Sequence, residues 1–120
     1  MTPYLVDRIE NCNKVTVKRF KPELYKTIMT PEETAVLSEG MGMVAKQAFA
    51  WLYGNSDYTL CAKSGSAQYG TLGYEHSLFV SYAPMETPEI SVTVVVEGGI
   101  TRNTSAAEVA KKIYDVYFKK

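Results

Sequence analysis

From Thr30 onward the apolar positions fall into blocks whose period changes twice, from three-to-four, to two, and back to three-to-four. That succession predicts a helix, a set of strands and a closing helix. The first helix opens at Thr30-Pro31-Glu32-Glu33, where threonine can cap, proline suits the first helical position and Glu33 completes a capping box. Beyond it Val36, Leu37, Gly40, Met41 and Val44 recur at helical spacing, so the helix should run from Pro31 to about Gln47. That stripe is expected to face a core, with Glu39 and Lys46 in water. The apolar run Ala48-Phe49-Ala50-Trp51-Leu52-Tyr53 suits either an extension of the helix or an irregular packed segment, and Gly54-Asn55-Ser56-Asp57 ends it in turn chemistry.

The middle of the chain changes to strand patterning, with expected strands at Tyr58 to Ala67, Ser77 to Tyr82 and the β-branched Glu89 to Val96. The link Ala83-Pro84-Met85-Glu86-Thr87-Pro88 is too short for a parallel crossover, so these strands should form an antiparallel meander. The link Gln68 to Glu75, with Gly70 and Gly73, is longer and suits a loop beside a binding cleft. After Gly98-Gly99 a second capping box at Ser105-Ala106-Ala107-Glu108 opens an amphipathic helix whose core face should be Val109, Ile113, Val116 and Tyr117. Its terminal Lys119-Lys120 pair suits the negative end of the helix dipole. Before Thr30 the signals are weaker: Tyr4 to Ile9 alternates as a short strand or extended lead-in, and Lys14 to Lys18 is a clearer period-two run after a turn at Asn11 to Asn13.

At 120 residues, 46% of them apolar and 22% charged, the chain is sized for one domain or less with a modest core. Thirteen basic against thirteen acidic residues give zero formal net charge, which argues against nucleic acid as a partner. No leader-like pattern and no long apolar run is present, so the chain as given is expected to be soluble. Cys12 and Cys61 are expected to be free structural thiols, and His76, the single histidine, leaves any metal site short of ligands. Glu32 and Glu33 are more simply cap and dipole partners than paired catalytic carboxylates, and Lys111-Lys112 suits a solvated helix face. Met41, Met43 and Val44 should be core, and Trp51 and the nine tyrosines mostly core and rim aromatics. His76 could be a base, yet without a carboxylate partner it suits a structural role better.

Three stretches carry a more specific signal: Cys61-Ala62-Lys63-Ser64-Gly65-Ser66-Ala67-Gln68, His76-Ser77-Leu78-Phe79-Val80-Ser81-Tyr82-Ala83-Pro84, and Pro88 to Glu97. Alone, Lys63-Ser64-Gly65-Ser66 would suit an ordinary polar strand edge. In this order, however, the three stretches resemble the class B penicillin-binding proteins, whose Gly-Lys-Thr-Gly-Thr-Ala-Gln strand is followed by an aromatic-Ala-Pro turn, a valine-rich strand and a closing helix. Glu39-Gly40-Met41 and Pro3-Tyr4-Leu5-Val6 extend the similarity over nearly the whole chain. Departures are mild: Ala62 stands for the usual glycine, and serines stand where threonines are commoner.

The resemblance implies an α+β fold, an antiparallel meander packed with the carboxy-terminal helix, as part of the penicillin-binding and serine β-lactamase-like transpeptidase fold. It implies that Lys63 lends positive charge near a substrate carboxylate, that the Ser64 and Ser66 hydroxyls hydrogen-bond it, and that Gly65 allows close approach of the backbone. The backbone N–H of Ser66 would be one of two oxyanion-hole donors. The ligands implied are a peptidoglycan stem peptide and the β-lactams that mimic it, with no cofactor and no metal.

The same family needs a Ser-x-x-Lys nucleophile motif and a Ser-x-Asn motif, both earlier in its chain order. No serine here has lysine three positions on or asparagine two positions on. Residues 1–120 are therefore expected to be the carboxy-terminal part of a transpeptidase domain from a longer, membrane-anchored enzyme with an extracytoplasmic catalytic domain. Alone, the piece is expected to be inactive and prone to self-association through exposed sheet and Trp51 surface. The alternative is part of a non-catalytic relative, such as a β-lactam sensor or binding module.

Overall fold

The computed structural model describes residues 5–70, 73–99 and 105–119 and divides into two compact units, Met1–Glu33 and Thr34–Lys120. Tyr4 of the first expected strand, Pro3 of the lead-in and Lys120 of the terminal lysine pair lie outside the described residues.

The first unit holds an antiparallel hairpin of β1 (Arg8–Glu10) and β2 (Thr16–Arg19), shorter and later than the sequence pattern suggests. Its turn is organised by the Asn11 side chain, whose oxygen accepts from the backbone N–H groups of Asn13 and Val15, each at 3.0 Å. Further along, the Thr30 capping box forms reciprocally: Glu33 N–H donates to Thr30 Oγ1 at 3.2 Å, and Thr30 N–H donates to Glu33 Oε2 at 2.8 Å. Such a cap typically stabilises a helix by about 1 kcal/mol. It starts α1 (Pro31–Ala48), close to the expected span. The apolar run beyond does not prolong α1. Phe49, with φ −121° and ψ 16°, breaks the geometry, and a separate short helix α2 (Ala50–Tyr53) follows.

The second unit is built on a three-stranded antiparallel sheet in the order β3-β4-β5: β3 (Cys61–Tyr69), β4 (Tyr74–Ala83) and β5 (Ile90–Val96). The meander is as expected, but the link from Gln68 to Glu75 is not a long loop. Gln68 pairs with Glu75 and Tyr69 with Tyr74, so the strands run on nearly to the glycines. Side-chain pairing across the hairpin accounts for this: Gln68 Nε2 donates to Glu75 Oε1 at 3.1 Å, and the Tyr69 and Tyr74 rings stack at 5.7 Å. Gly70 and Gly73, at φ 67° and 69°, supply the left-handed positions of the turn.

Strand alternation divides the sheet into two faces. Register places Ala62, Ser81 and Val92 together, and Ser64, Phe79 and Val94, on the face that meets the closing helix α3 (Ala106–Phe118). Lys63, Val80 and Thr93, and Gly65, Leu78 and Val95, lie on the other face. The core is on the first face, with Phe79, Tyr114, Ala106, Ala110 and Ala62 essentially inaccessible to solvent. Tyr114 Oη donates to Ser81 Oγ at 2.9 Å, and Ser81 Oγ donates to the Val92 carbonyl at 3.2 Å, tying α3 to the central and outer strands. Tyr53 Oη donates to the Ala107 carbonyl at 2.8 Å, and its ring lies near-parallel to Phe79, centroids 6.1 Å apart. The α3 start is satisfied from two sides: Ser105 Oγ accepts from Ala107 N–H at 3.2 Å and Ser77 Oγ accepts from Ala106 N–H at 3.1 Å.

Both long helices correct the expected core faces. In α3 the buried positions are Ala106, Ala107, Ala110 and Tyr114, whereas Val109, Ile113 and Val116 are exposed. In α1 they are Gly42 and Ala45, whereas Val36 and Leu37 are exposed. The reason is steric. Small residues let a helix backbone approach its neighbour closely, and a Cβ added at Gly42 would lie 3.0 Å from Met85 Sδ. Met43, expected in the core, is also largely exposed, whereas the exposure of Trp51 agrees with the expected open Trp51 surface. Lys111 is only half solvated, being ion-paired with Asp115 one turn on. Cys12 and Cys61 are free thiols, as expected.

Candidate functional site: the exposed edge of β3

β3 begins buried and ends open. Cys61 and Ala62 are fully inaccessible, and every residue from Lys63 to Tyr69 is exposed. The buried start is held by α1, since Cys61 Sγ donates to the Ser38 carbonyl at 3.2 Å and Tyr82 Oη donates to Ser38 Oγ at 2.7 Å. Burial, together with its hydrogen bond to Cys61, raises the Tyr82 phenol above its usual range, so it stays a neutral donor. The Lys-Ser-Gly-Ser run thus leaves a rigid anchor one residue before the lysine.

Within the described residues β3 has a strand on one side only. Which of its groups face the free edge follows from the ladder. The Ala83 carbonyl accepts from Glu89 N–H at 3.0 Å, on the β5 side of β4. In an antiparallel strand the N–H and C=O of one residue point the same way and successive residues alternate. Odd-numbered β4 residues therefore address β5, and even-numbered ones address β3. Opposite the even ones stand Lys63, Gly65 and Ala67. Ser64 and Ser66 are left with backbone groups directed to the free edge. Lys63 Nζ agrees with this, donating to the Ser64 carbonyl at 2.6 Å.

The site therefore brings an ammonium group, folded over the edge, together with backbone donors and acceptors along about two residues of open strand, while the exposed Ser64 and Ser66 side chains alternate to the opposite face from Lys63. Gly65 keeps the strand lean between them. A Cβ there would meet only Leu78 Cβ at 3.6 Å, so the sheet itself does not demand glycine. Beside Lys63, on the α1 side, Val36, Leu37, Gly40, Met41 and Val44 line an apolar hollow of about 370 Å³. Sequence reasoning assigned these side chains to the core and missed them as part of this surface. The available signal was their bulk, which is greater than that of the Gly42 and Ala45 face beside them.

His76 is not positioned as a catalytic base. Its Nδ1 accepts from Gly98 N–H at 3.1 Å, and its ring stacks on Tyr69 at 4.1 Å and 1°. Among the described residues no group of three or more potential metal ligands occurs.

This α+β arrangement, a three-stranded antiparallel sheet with helices packed on it, is shared with solved penicillin-binding proteins. The acyl-enzyme complex of penicillin-binding protein A from M. tuberculosis with imipenem superposes with a TM-score of 0.76 at 26% identity, over 94% of this chain and 25% of that one. Residues 1–115 match the penicillin binding protein transpeptidase domain, and the chain belongs to that family. It is 31% identical to the peptidoglycan D,D-transpeptidase MrdA of Haemophilus influenzae, over 97% of this chain and 20% of that protein. It is 28% identical to the peptidoglycan D,D-transpeptidase PbpA of Mycolicibacterium smegmatis, over 82% of this chain and 21% of that protein. The chain thus spans about a fifth of the length of these curated relatives.

Proposed function

We propose that residues 1–120 are the carboxy-terminal part of a peptidoglycan D,D-transpeptidase domain, supplying the carboxylate-binding edge of a serine acyl-transfer site. The observation that carries this is the open β3 edge, with the backbone groups of Ser64 and Ser66 directed outward and Lys63 folded onto it. Lys63 and the two hydroxyls hold the terminal carboxylate of a stem peptide or a β-lactam, a charge-assisted contact. Gly65 lets the ligand backbone close on the strand. The Ser66 N–H donates to the oxyanion that forms when a serine elsewhere in the longer enzyme attacks the D-Ala carbonyl. Loss of one such donor typically costs a factor of about 10² to 10³ in rate.

The nucleophile belongs to the longer enzyme, a membrane-anchored protein with its catalytic domain outside the cytoplasm. Among the described residues of this chain no helix is long and apolar enough to cross a membrane. Val80 at 47% and Val95 at 57% exposure, with Val36 and Trp51 more open still, favour self-association of the isolated piece. A strict monomer by light scattering at high concentration would count against that.

The test is covalent labelling. The isolated chain should show no penicilloyl adduct by mass spectrometry, whereas the longer enzyme should be acylated stoichiometrically. In the longer enzyme, Lys63→Ala with Ser64→Ala should slow acylation by about a hundredfold or more. Stoichiometric acylation of the isolated chain, or an unchanged rate in the double variant, would sink the proposal. Acylation of neither protein, with reversible β-lactam binding by the longer one, would point to a sensor or binding module instead.

A further inference from the structure

A cavity of about 230 Å³ opens in the second unit between the end of α1, the short helix α2, the turn leading into β3 and the β4–β5 link. None of Lys63 to Ser66 lines it. Two exposed side chains of opposite charge, Lys46 and Glu86, stand at its mouth. A hydrogen bond from the Thr59 hydroxyl holds the Glu86 carboxylate below its usual range, with its own backbone N–H and the nearby Lys46 charge acting in the same direction. The two charges do not meet in a direct ion pair, and Lys46 has no ion-pair partner among the described residues. The body of the cavity is apolar, formed by Ala45, Tyr53, Leu60 and Met85. Set into its lining are the hydroxyls of Ser56 and Tyr58, whose oxygens are buried and have no partner of hydrogen-bond geometry among the described residues. Burial raises the Tyr58 phenol and the adjacent Ser56 hydroxyl draws it back, so the phenol stays a neutral donor. Even a bond between the two hydroxyls would use only one of their two protons, leaving a buried donor to be satisfied.

We propose that this cavity binds a zwitterionic free amino acid whose side chain is an aromatic ring with a polar tip. The volume is below that of drug-sized sites, so the occupant is about as large as a single amino acid. Each part of such a ligand meets a matching part of the lining. Its ammonium group faces Glu86 and its carboxylate faces Lys46, both charge-assisted contacts. Its ring packs among Tyr53, Leu60 and the Met85 thioether, and its tip accepts the spare proton of the Ser56 and Tyr58 pair. The walls are not free to drift apart. Thr59 Oγ1, which donates to Glu86, also accepts from the Met85 N–H at 2.9 Å, and Met85 Sδ lies over Gly42 of α1. An occupant therefore braces the β4–β5 link against α1. The site stands independently of the transpeptidase proposal above.

The experiment titrates the 120-residue chain with L-tyrosine and follows its backbone amide signals by NMR. Saturable shifts are expected at α2, at Ser56 to Leu60 and at Met85 and Glu86. L-Phenylalanine, which lacks the polar tip, should bind about three- to tenfold more weakly, the worth of one hydrogen bond. N-Acetyl-L-tyrosine, which lacks the ammonium charge, should bind about two- to fivefold more weakly, the worth of one exposed ion pair. Glu86→Gln, a surface change, should erase the preference for L-tyrosine over its N-acetyl form and leave the preference over L-phenylalanine. Ser56→Ala with Tyr58→Phe should do the reverse. No saturable shift with L-tyrosine, shifts centred elsewhere, equal binding of the three compounds, or an unchanged N-acetyl ratio in Glu86→Gln overturns the proposal.

Discussion

The position of the β3 edge depends on β4, and β4 is held from behind by one buried hydrogen-bond relay, Tyr114 Oη to Ser81 Oγ to the Val92 carbonyl, at 2.9 and 3.2 Å. Tyr114 and Ser81 are 0% and 1% exposed, so water does not compensate a lost partner. Tyr114→Phe removes the donor and leaves Ser81 bonded to Val92, a loss of about 1 kcal/mol, the net value of one such bond. Ser81→Ala is harsher. It removes the Val92 bond and leaves the Tyr114 hydroxyl buried without its acceptor, at about 1–3 kcal/mol. In the Tyr114→Phe background that hydroxyl is already gone, so Ser81→Ala should cost about 1 kcal/mol less there than in the parent. Urea unfolding of the parent, both single variants and the double variant reads these differences at constant m. If Tyr114→Phe is the more damaging single change, or if the two costs add without coupling, the relay does not work as described.

Three further outcomes follow from the same packing. Burial raises the Tyr53 and Tyr114 phenols, so the folded chain keeps these protons when the unfolded chain has lost them. Their stabilisation is complete below about pH 10 and is lost as pH rises toward the folded values, with a slope of about 1.4 kcal/mol per pH unit for each phenol; a urea midpoint unchanged between pH 9 and 11 would refute this. Gly54→Ala should lower stability by about 1–3 kcal/mol because the new Cβ would sit 2.5 Å from the Ala50 carbonyl oxygen, whereas Gly42→Ala presses only on the flexible end of Met85 and should cost less in the same thermal melts. Gly65→Ala should melt within about 1 kcal/mol of the parent, since its Cβ makes ordinary contact with Leu78. In the longer enzyme it should still slow β-lactam acylation by about tenfold or more by holding the ligand off the strand, and unimpaired acylation would remove Gly65 from the site.

Much of this arrangement is legible in the sequence because it is written in local chemistry. Thr30 and Glu33 specify the α1 start through two reciprocal hydrogen bonds, and Ser105 specifies the α3 start through one. Both signals act within three residues, so no tertiary knowledge is required. The β-branched run at Ile90–Val96 and the short link before it likewise dictate an antiparallel neighbour. What was not legible depends on partners remote in sequence. The Gln68–Glu75 link reads as a loop from its glycines, yet rings five to seven positions apart extend the ladder into it. The register that sends Ser64 and Ser66 to the free edge emerges only from pairing with β4.

The helix faces were misjudged for a reason that bears on function. Hydrophobic periodicity selects the stripe with the larger side chains, so Val36, Leu37, Met41 and Val44 in α1, and Val109, Ile113 and Val116 in α3, outweigh the alanines and glycine beside them. Close packing selects differently. Where a helix must approach a sheet, Gly42, Ala45, Ala107 and Ala110 fit and the larger stripes do not. Each helix consequently carries two apolar faces, one buried within this chain and one largely open, with Met41 and Val44 half-buried at the margin of the α1 stripe. An aliphatic face left exposed costs solubility and contributes nothing to the folded unit. The α1 stripe is the more informative, because its hollow adjoins Lys63 and so borders the open edge of β3.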